Sequence, residues 1–440
     1  MAWSFETLGE TTLLLARDGV PVLAADPWLS GPTCFSSRMR ARSLPAAKLA
    51  AVARAPYVFI SGGRAGRLHL PSLKLFSRGC DVLLPARETT LEDRLVAEGF
   101  TTRRLPFKRW VALASGLRVM CIDGPDGAVL AIDADGTLIL DKGDAALCGE
   151  ERFLRKLAKQ YERIYLVALC AADDPGLDGP ALLMTGRRPA RDRLRAIHAL
   201  ARLGEQLGAT DCCAQEPCRN VREEAEWADS WRIDWSELKA QWPDGAIRLV
   251  APYAKVDLYH GLVALQRAPA SGEASPIPAD NWEEVLTATE RERLENVAST
   301  LRPRPRLDFI AFNVGGETGK VFLRGRAQRI PASRQRGLVL TAPRRSLMAA
   351  IDSGRFPDLV GSHLLRAERV NIPRHLPLRF APVSRAAWHD FRRSPQAFLR
   401  YRFEEWRRAV LVPFLGEAAR WIGPLDTLRR IRSRADSAGF

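Results

Sequence analysis

The chain has 440 residues, 66 Lys plus Arg against 51 Asp plus Glu, and a formal net charge of +15 at pH 7. Apolar residues at 46% and charged residues at 27% exclude an intrinsically disordered chain, and 440 residues suffice for about two domains, each with its own core. Charges interrupt every long apolar run, so no membrane-spanning helix is expected.

The first segment is strand-like: Thr11-Thr12-Leu13-Leu14-Leu15-Ala16, an Asp18-Gly19 turn, then Pro21-Val22-Leu23-Ala24-Ala25. Helical spacing over 44–54 predicts a helix, and Tyr57-Val58-Phe59-Ile60 a buried strand ending in Ser61-Gly62-Gly63. A helix over 70–76, a strand at Val82-Leu83-Leu84 and a helix over 88–98 follow. Strands are predicted at 104–106, 118–122, 128–132 and 137–140, the last two separated by an Asp133-Ala134-Asp135-Gly136 turn. A helix over 150–160, a buried strand over 164–169 and an amphipathic helix over 191–208 complete what reads as an α/β sandwich. Residues 266–281, rich in Ala, Pro, Ser and Gly, read as a linker between a first domain, 1–265, and a second, 282–440. The second domain begins with a helix over 282–300. It then shows a hairpin around Gly315-Gly316-Glu317-Thr318-Gly319-Lys320 and a helix over 344–352. No internal repeat is visible.

Eight cysteines are too few and too scattered for a disulfide scaffold. Cys34, Cys80, Cys121, Cys148 and Cys170 stand alone and read as small buried hydrophobes in a reducing compartment. Cys212, Cys213 and Cys218 lack the spacing and the second pair of a zinc site. With no charged and apolar leader after Met1, a cytoplasmic location is expected. Of the 66 basic residues, 57 are arginine, spread along the chain without a nucleic-acid-binding signature.

Three stretches carry a resemblance: Leu23-Ala24-Ala25-Asp26-Pro27-Trp28-Leu29-Ser30-Gly31; Tyr57 to Ser61 followed by Leu68-His69-Leu70-Pro71-Ser72-Leu73; and Ile139-Leu140-Asp141-Lys142-Gly143-Asp144-Ala145. Together they resemble the metallo-β-lactamase fold, in the branch of CMP-N-acetylneuraminate hydroxylase and L-ascorbate-6-phosphate lactonase. The resemblance covers about residues 5–260. It implies an αββα sandwich (metallo-β-lactamase-like), followed by a smaller α+β C-terminal domain with a helical tail. Ala342-Pro343-Arg344-Arg345-Ser346-Leu347 and the stretch from Ile351 to Gly361 resemble the C-terminal part of the same group.

The chain departs from the resemblance at its chemistry. Active members read Ser-His-x-His-x-Asp-His-Leu after the strand, whereas this chain reads Ser61-Gly62-Gly63-Arg64-Ala65-Gly66-Arg67-Leu68. Gly62, Arg64, Gly66 and Arg67 stand in the ligand positions, and Glu10 stands where an early His often follows the first strand. Glycine offers no donor atom and guanidinium repels a cation. Asp144 is the one ligand the resemblance leaves. No metal, no other cofactor and no ordinary metal-dependent hydrolase or oxygenase activity is therefore expected.

An anion pocket is expected in place of the metals, built from Glu10, Asp26, Gly62, Gly63, Arg64, Arg67, His69, Lys142 and Asp144. Arginine and lysine preserve positive potential there, and glycine N–H groups ahead of a helix start suit a phosphate, a carboxylate or a nucleotide-linked sugar. The alternative is that Arg64 and Arg67 pair with Asp26 or Asp144 and fill the hole. His69 reads as a helix-capping residue, or else as a substitute ligand.

Other motifs carry less. Gly315 to Lys320 departs from a phosphate-binding loop at Val314 and Val321. No Gly-x-Ser-x-Gly elbow exists. His198, His260, His363, His375 and His389 form no His-x-His or His-x-x-x-His pair. Residues 381–440 hold 12 arginines against 6 acids, with apolar residues at helical spacing, and read as a basic amphipathic tail. The expected function is a metal-free binding or partner subunit, whose partner is another protein or a small anionic ligand. The alternatives are a metal-independent enzyme acting on an anionic substrate, and nucleic-acid or anionic-membrane binding through the basic surface.

Overall fold

The computed structural model describes residues 2–33, 38–63, 67–124, 127–143, 145, 150–169, 190–216, 219–220, 233–265, 281–300, 303–304, 307–323, 329–352, 359, 365–372 and 379–380. The chain divides into two compact units, Met1–Ala381 and Pro382–Phe440. The expected helical tail, and the linker over 266–281 apart from Asn281, lie outside the described residues. No helix of the described residues is long and apolar enough to cross a membrane.

The chain opens with an antiparallel meander, β1 (Trp3–Thr7), β2 (Leu13–Arg17) and β3 (Val20–Ala25). Asp18 and Gly19 both take positive φ, the conformation of a tight hairpin turn. After the two-residue β4 (Arg38–Met39), three helical crossovers follow: α1 (Ala46–Val52) to β5 (Tyr57–Phe59), α2 (Leu70–Leu73) to β6 (Asp81–Pro85), and α3 (Thr89–Ala97) to β7 (Thr101–Leu105). Strands β3, β5, β6 and β7 pair in parallel, as such crossovers require.

The second half repeats this plan. The strands β8 (Val111–Ala114), β9 (Leu117–Ile122), β10 (Val129–Ala134) and β11 (Thr137–Gly143) run antiparallel, and Asp135-Gly136 again supplies two positive φ values. Then α4 (Glu151–Ala158) leads to β12 (Arg163–Leu169) and α5 (Ala190–Leu207) to β13 (Asp211–Gln215). The short β14 (Arg219–Asn220) pairs with β4, and α6 (Trp235–Gln241) leads to β15 (Arg248–Val250). Finally β16 (Ala254–Asp257) and β17 (Leu262–Leu265) return to the first sheet. The sheets have the orders β17-β16-β1-β2-β3-β5-β6-β7 and β15-β13-β12-β11-β10-β9-β8.

Strand alternation sorts the apolar residues into three layers. Leu13, Leu15, Leu23 and Phe59 face Val119, Leu130, Ile139 and Val167 between the sheets. Leu14, Ala24, Val58 and Val82 face outward under Val52, Leu73, Leu91 and Leu95 of the first three helices. Leu138, Leu140, Cys212 and Ala214 face outward under Leu154, Ile197, Leu200 and Leu238. This is the αββα sandwich that the resemblance implied.

One end of the sandwich, the base, is fastened by side chains that cross from sheet to sheet. Trp3 Nε1 donates to Asp135 (2.8 Å), Arg17 to the Ser115 carbonyl (3.1 Å), the Tyr57 hydroxyl to the Leu113 carbonyl (2.7 Å), and Arg163 to the carbonyls of Leu258 and Tyr259 (3.0 and 2.7 Å). The carboxyl ends of the parallel strands of both sheets lie at the opposite end, the rim.

Beyond the sandwich, α7 (Ala288–Thr300), β18 (Pro303–Arg304), β19 (Phe309–Val314), β20 (Glu317–Phe322), β21 (Gly337–Thr341), α8 (Arg344–Asp352), β22 (Arg366–Val370) and β23 (Arg379–Phe380) form a smaller α+β assembly. Its sheet has the order β20-β19-β21-β22, and a separate core gathers Leu294, Ile310, Leu338 and Leu347. Gly315-Gly316 is the turn of the β19–β20 hairpin, as the sequence indicated.

The helix expected over 282–300 starts six residues late. Thr287 and Glu290 form a capping box, in which Thr287 Oγ1 accepts from the Glu290 N–H (3.3 Å) and Glu290 Oε2 from the Thr287 N–H (2.9 Å). Arg344 also donates to Glu290 (2.8 Å) and, with that cap, pushes its carboxyl down to about 2. Folding thus favours the ionised form of Glu290. The contribution is complete above the ordinary 4.5 and is lost as pH falls through about 2. Glu290→Gln should therefore melt below the wild type at neutral pH, by a margin that closes between pH 4.5 and about 2. A margin independent of pH in thermal melts would contradict this ion pair.

Candidate functional site

The rim is built on Asp26, which ends β3 with a φ of +41°. Its N–H donates to the Phe59 carbonyl (2.8 Å), and its carboxylate accepts from the Ser61 N–H (2.7 Å) and hydroxyl. Thr12 Oγ1 donates to the Asp26 carbonyl (3.0 Å) and accepts from the Trp28 N–H (3.0 Å), which fixes the Asp26-Pro27-Trp28 corner. The first candidate residue is thus a buried organiser of two strand ends.

His69 is the N-cap of α2. Its Nδ1 accepts from the Ser72 N–H (3.2 Å) and from the Ser72 hydroxyl (2.7 Å), and its Nε2–H donates to the Pro32 carbonyl (3.1 Å). Ser72 Oγ accepts in turn from the Leu29 N–H (2.7 Å). Both ring nitrogens are committed, so neither offers a lone pair to a metal. The helix start that the sequence offered to an anion is a single turn, closed by this ring and by Pro71, which has no N–H.

Gly62 and Gly63 lie beside Glu88. A Cβ on either would come within 3.8 and 3.7 Å of the Glu88 carboxylate oxygens. Arg67 is 2% exposed, and its guanidinium passes over Gly127, where a Cβ would lie 0.9 Å from Nη1. Gly127, with a φ of +153°, is the residue that makes this passage possible. The Ala128 N–H donates to the Ser61 carbonyl (3.0 Å), joining the two sheets there. Arg64 and Asp144 lie outside the described residues. Lys142 is half-buried, and its carbonyl accepts from the Ala145 N–H (2.9 Å).

Glu10 takes a φ of +47°, and its N–H donates to the Glu216 carbonyl (2.7 Å), a second link between the sheets. Around it stands a cluster that the sequence did not single out. Arg40 donates to the carbonyls of Trp28, Leu8 and Arg42, and Arg42 pairs with Glu216 (3.3 Å). The Tyr253 hydroxyl donates to Glu216 (2.8 Å), and a Cβ on Gly9 would lie 2.5 Å from that hydroxyl. Burial lowers the Arg40 pKa, and the nearby Tyr253, Glu10 and Glu216 oppose that shift. Burial, reinforced by Glu216, raises the Tyr253 phenol. Two carboxylates and two guanidiniums thus balance at the rim. Arg40 and Arg42 were invisible among 57 arginines; Glu216, directly after a buried strand, carried a weak signal.

The two-metal centre that the resemblance implies does not fit these side chains. Among the described residues, no three His, Cys, Asp or Glu side chains stand together as metal donors. Cys213 faces the inter-sheet core and Cys212 the helices, so the two thiols diverge, while Cys218 lies outside the described residues.

The layers, strand order and rim are those of a metallo-β-lactamase-type αββα sandwich. No family model matches the chain, and no curated protein matches its sequence. Solved structures do. Igni18, a metallo hydrolase from the archaeon Ignicoccus hospitalis, is 16% identical over 58% of this chain and 98% of its own, with a TM-score of 0.37. A possible metal-dependent hydrolase from Veillonella parvula is 10% identical over 60% and 100%, with a TM-score of 0.42. The metallo-β-lactamase fold protein YhfI from Bacillus subtilis is 11% identical over 60% and 98%, with a TM-score of 0.37.

Two outcomes test the rim geometry. Ser72→Ala strands the Leu29 N–H and leaves His69 Nδ1 only the backbone N–H of residue 72, and should cost about 1–3 kcal/mol in urea unfolding. His69 is held below its ordinary 6.5, first by burial and further by Arg40, against the Pro32 hydrogen bond, so folding favours the neutral ring. Its contribution is complete above 6.5 and is withdrawn as pH falls from there through the depressed folded value. The stability gap between wild type and His69→Asn should narrow accordingly on acidification.

Proposed function

We propose that the chain is a metal-free, non-catalytic binding protein on a metallo-β-lactamase-like scaffold, with the rim as its binding surface. The observation that carries this reading is Arg40. Its guanidinium is fixed by the carbonyls of Trp28 and Leu8 beside Glu10 and Glu216, and it supplies positive charge as a permanent part of the protein. A guanidinium neutralises carboxylates but cannot activate a water molecule as a metal does. Commitment of both His69 nitrogens supports the same reading.

An anionic ligand at the Gly62–Arg67 loop is the second reading, supported by the glycines and by Arg67. Glu88 beside Gly62 and Gly63 weighs against it, because its carboxylate would repel an anion there. Elemental analysis of protein purified from its native host, without chelators, should find zinc and iron well below one equivalent. A stoichiometric metal would overturn the proposal. Calorimetric titration with phosphate esters should give no saturable heat; saturable heat lost in Arg67→Gln would favour the anionic reading instead.

A further inference from the structure

Among the described residues, two neutral side chains of the rim, Gln215 and Thr11, carry buried polar atoms without a hydrogen-bond partner. Gln215 ends β13 on the face that carries Cys213, between the sheets, and is 2% exposed. Neither its Oε1 nor its Nε2 finds a hydrogen-bond partner among the described residues. Thr11, 4% exposed, leaves its Oγ1 equally without one. Its methyl lies 3.3 Å from where a Cβ on Gly143 would stand, so Thr11 reaches from the first sheet to the end of β11 in the second. Each residue is one position away from the same inter-sheet bond, Glu10 N–H to Glu216 carbonyl.

Native proteins rarely leave a buried carboxamide unbonded at both ends, and a methionine would fill the same volume without the penalty. The charged groups around the pair stand against opposite charge or hydrogen-bond donors: Arg40 and Arg42 against Glu10 and Glu216, and Asp26 held by Ser61. Gln215 and Thr11 add neutral bonding capacity: an acceptor and a donor side by side on Gln215, and a hydroxyl on Thr11. An adjoining C=O and N–H would meet the carboxamide in two parallel hydrogen bonds.

We propose that Gln215 and Thr11 are the recognition groups of the rim, and that they bind a small uncharged compound presenting an adjoining N–H and C=O, as primary amides and lactams do. This rests on the metal-free binding reading and narrows it to a ligand class.

The test is calorimetric and thermal titration of the full-length protein with pyrrolidinone and acetamide, with acetate as the charged control. Wild type should show saturable heat and a rising melting temperature with both amides and neither with acetate. Gln215→Met should weaken amide binding at least about tenfold while melting, without ligand, at or above the wild type. Thr11→Val provides the same readout should Gln215→Met fail to fold. Absence of saturable amide binding, equal binding in the variants, or equal binding of acetate would overturn the proposal. So would a folded Gln215→Met protein that melts well below the wild type, because the carboxamide would then be bonded within the protein. Failed titrations in metal-free protein remove this proposal alone, whereas stoichiometric metal removes the reading beneath it.

Discussion

The hydrogen bond from the Glu10 N–H to the Glu216 carbonyl joins the first sheet to the second where their strands end. An apolar sandwich satisfies its backbone along the strands, so polar chemistry is displaced to the strand ends, and there the sheets must be held at one spacing. Holding them fixes the surroundings in turn. Glu10 must accept a left-handed backbone, and Gly9 must lack a side chain because the Tyr253 hydroxyl stands over it. Arg40 then finds carbonyls from Leu8 and Trp28 within reach together. A rim assembled this way is specified by backbone geometry first and by side-chain identity second.

That ordering explains how the strand ends are held at the mouth of the scaffold. A metal centre draws loops together by coordination, and its binding energy adds to folding. Here Asp26 clamps two strand ends through Ser61, and His69 and Ser72 hold the corner that carries Trp28. These are ordinary hydrogen bonds, each worth about 1 kcal/mol.

Much of this architecture was legible in the sequence, for local reasons. Asp18-Gly19 and Asp135-Gly136 announce their turns because few other pairs take positive φ at both positions. The Asp-Pro-Trp corner was visible as a match to a known pattern, and the arginines in place of ligands as a departure from it. The start of α7 was misplaced even though Thr287 and Glu290 carried the capping signature. Strand β13 and the pairing of β16 with β1 were missed, since a short apolar run does not reveal its partner. The recurrence of one plan in both halves was equally hidden, because strand order constrains little more than apolar alternation. The least legible feature was the cluster of Arg40, Arg42, Glu216 and Tyr253, whose members come from distant segments and mean nothing singly. Gln215 did leave a trace, as a polar residue directly after the apolar run Cys212-Cys213-Ala214.

The base of the sandwich bears on how the molecule can move. Trp3 to Asp135, Arg17 to Ser115, Tyr57 to Leu113 and Arg163 to Leu258 rivet the sheets together at that end. Any widening of the rim must therefore pivot there, as the covers of a book turn on the spine. Small rotations at the base become the largest separations at the strand ends, beside Thr11 and Gln215. Trp3, at the base, and Trp28, at the rim, would mark the two ends of such a lever, both almost wholly enclosed.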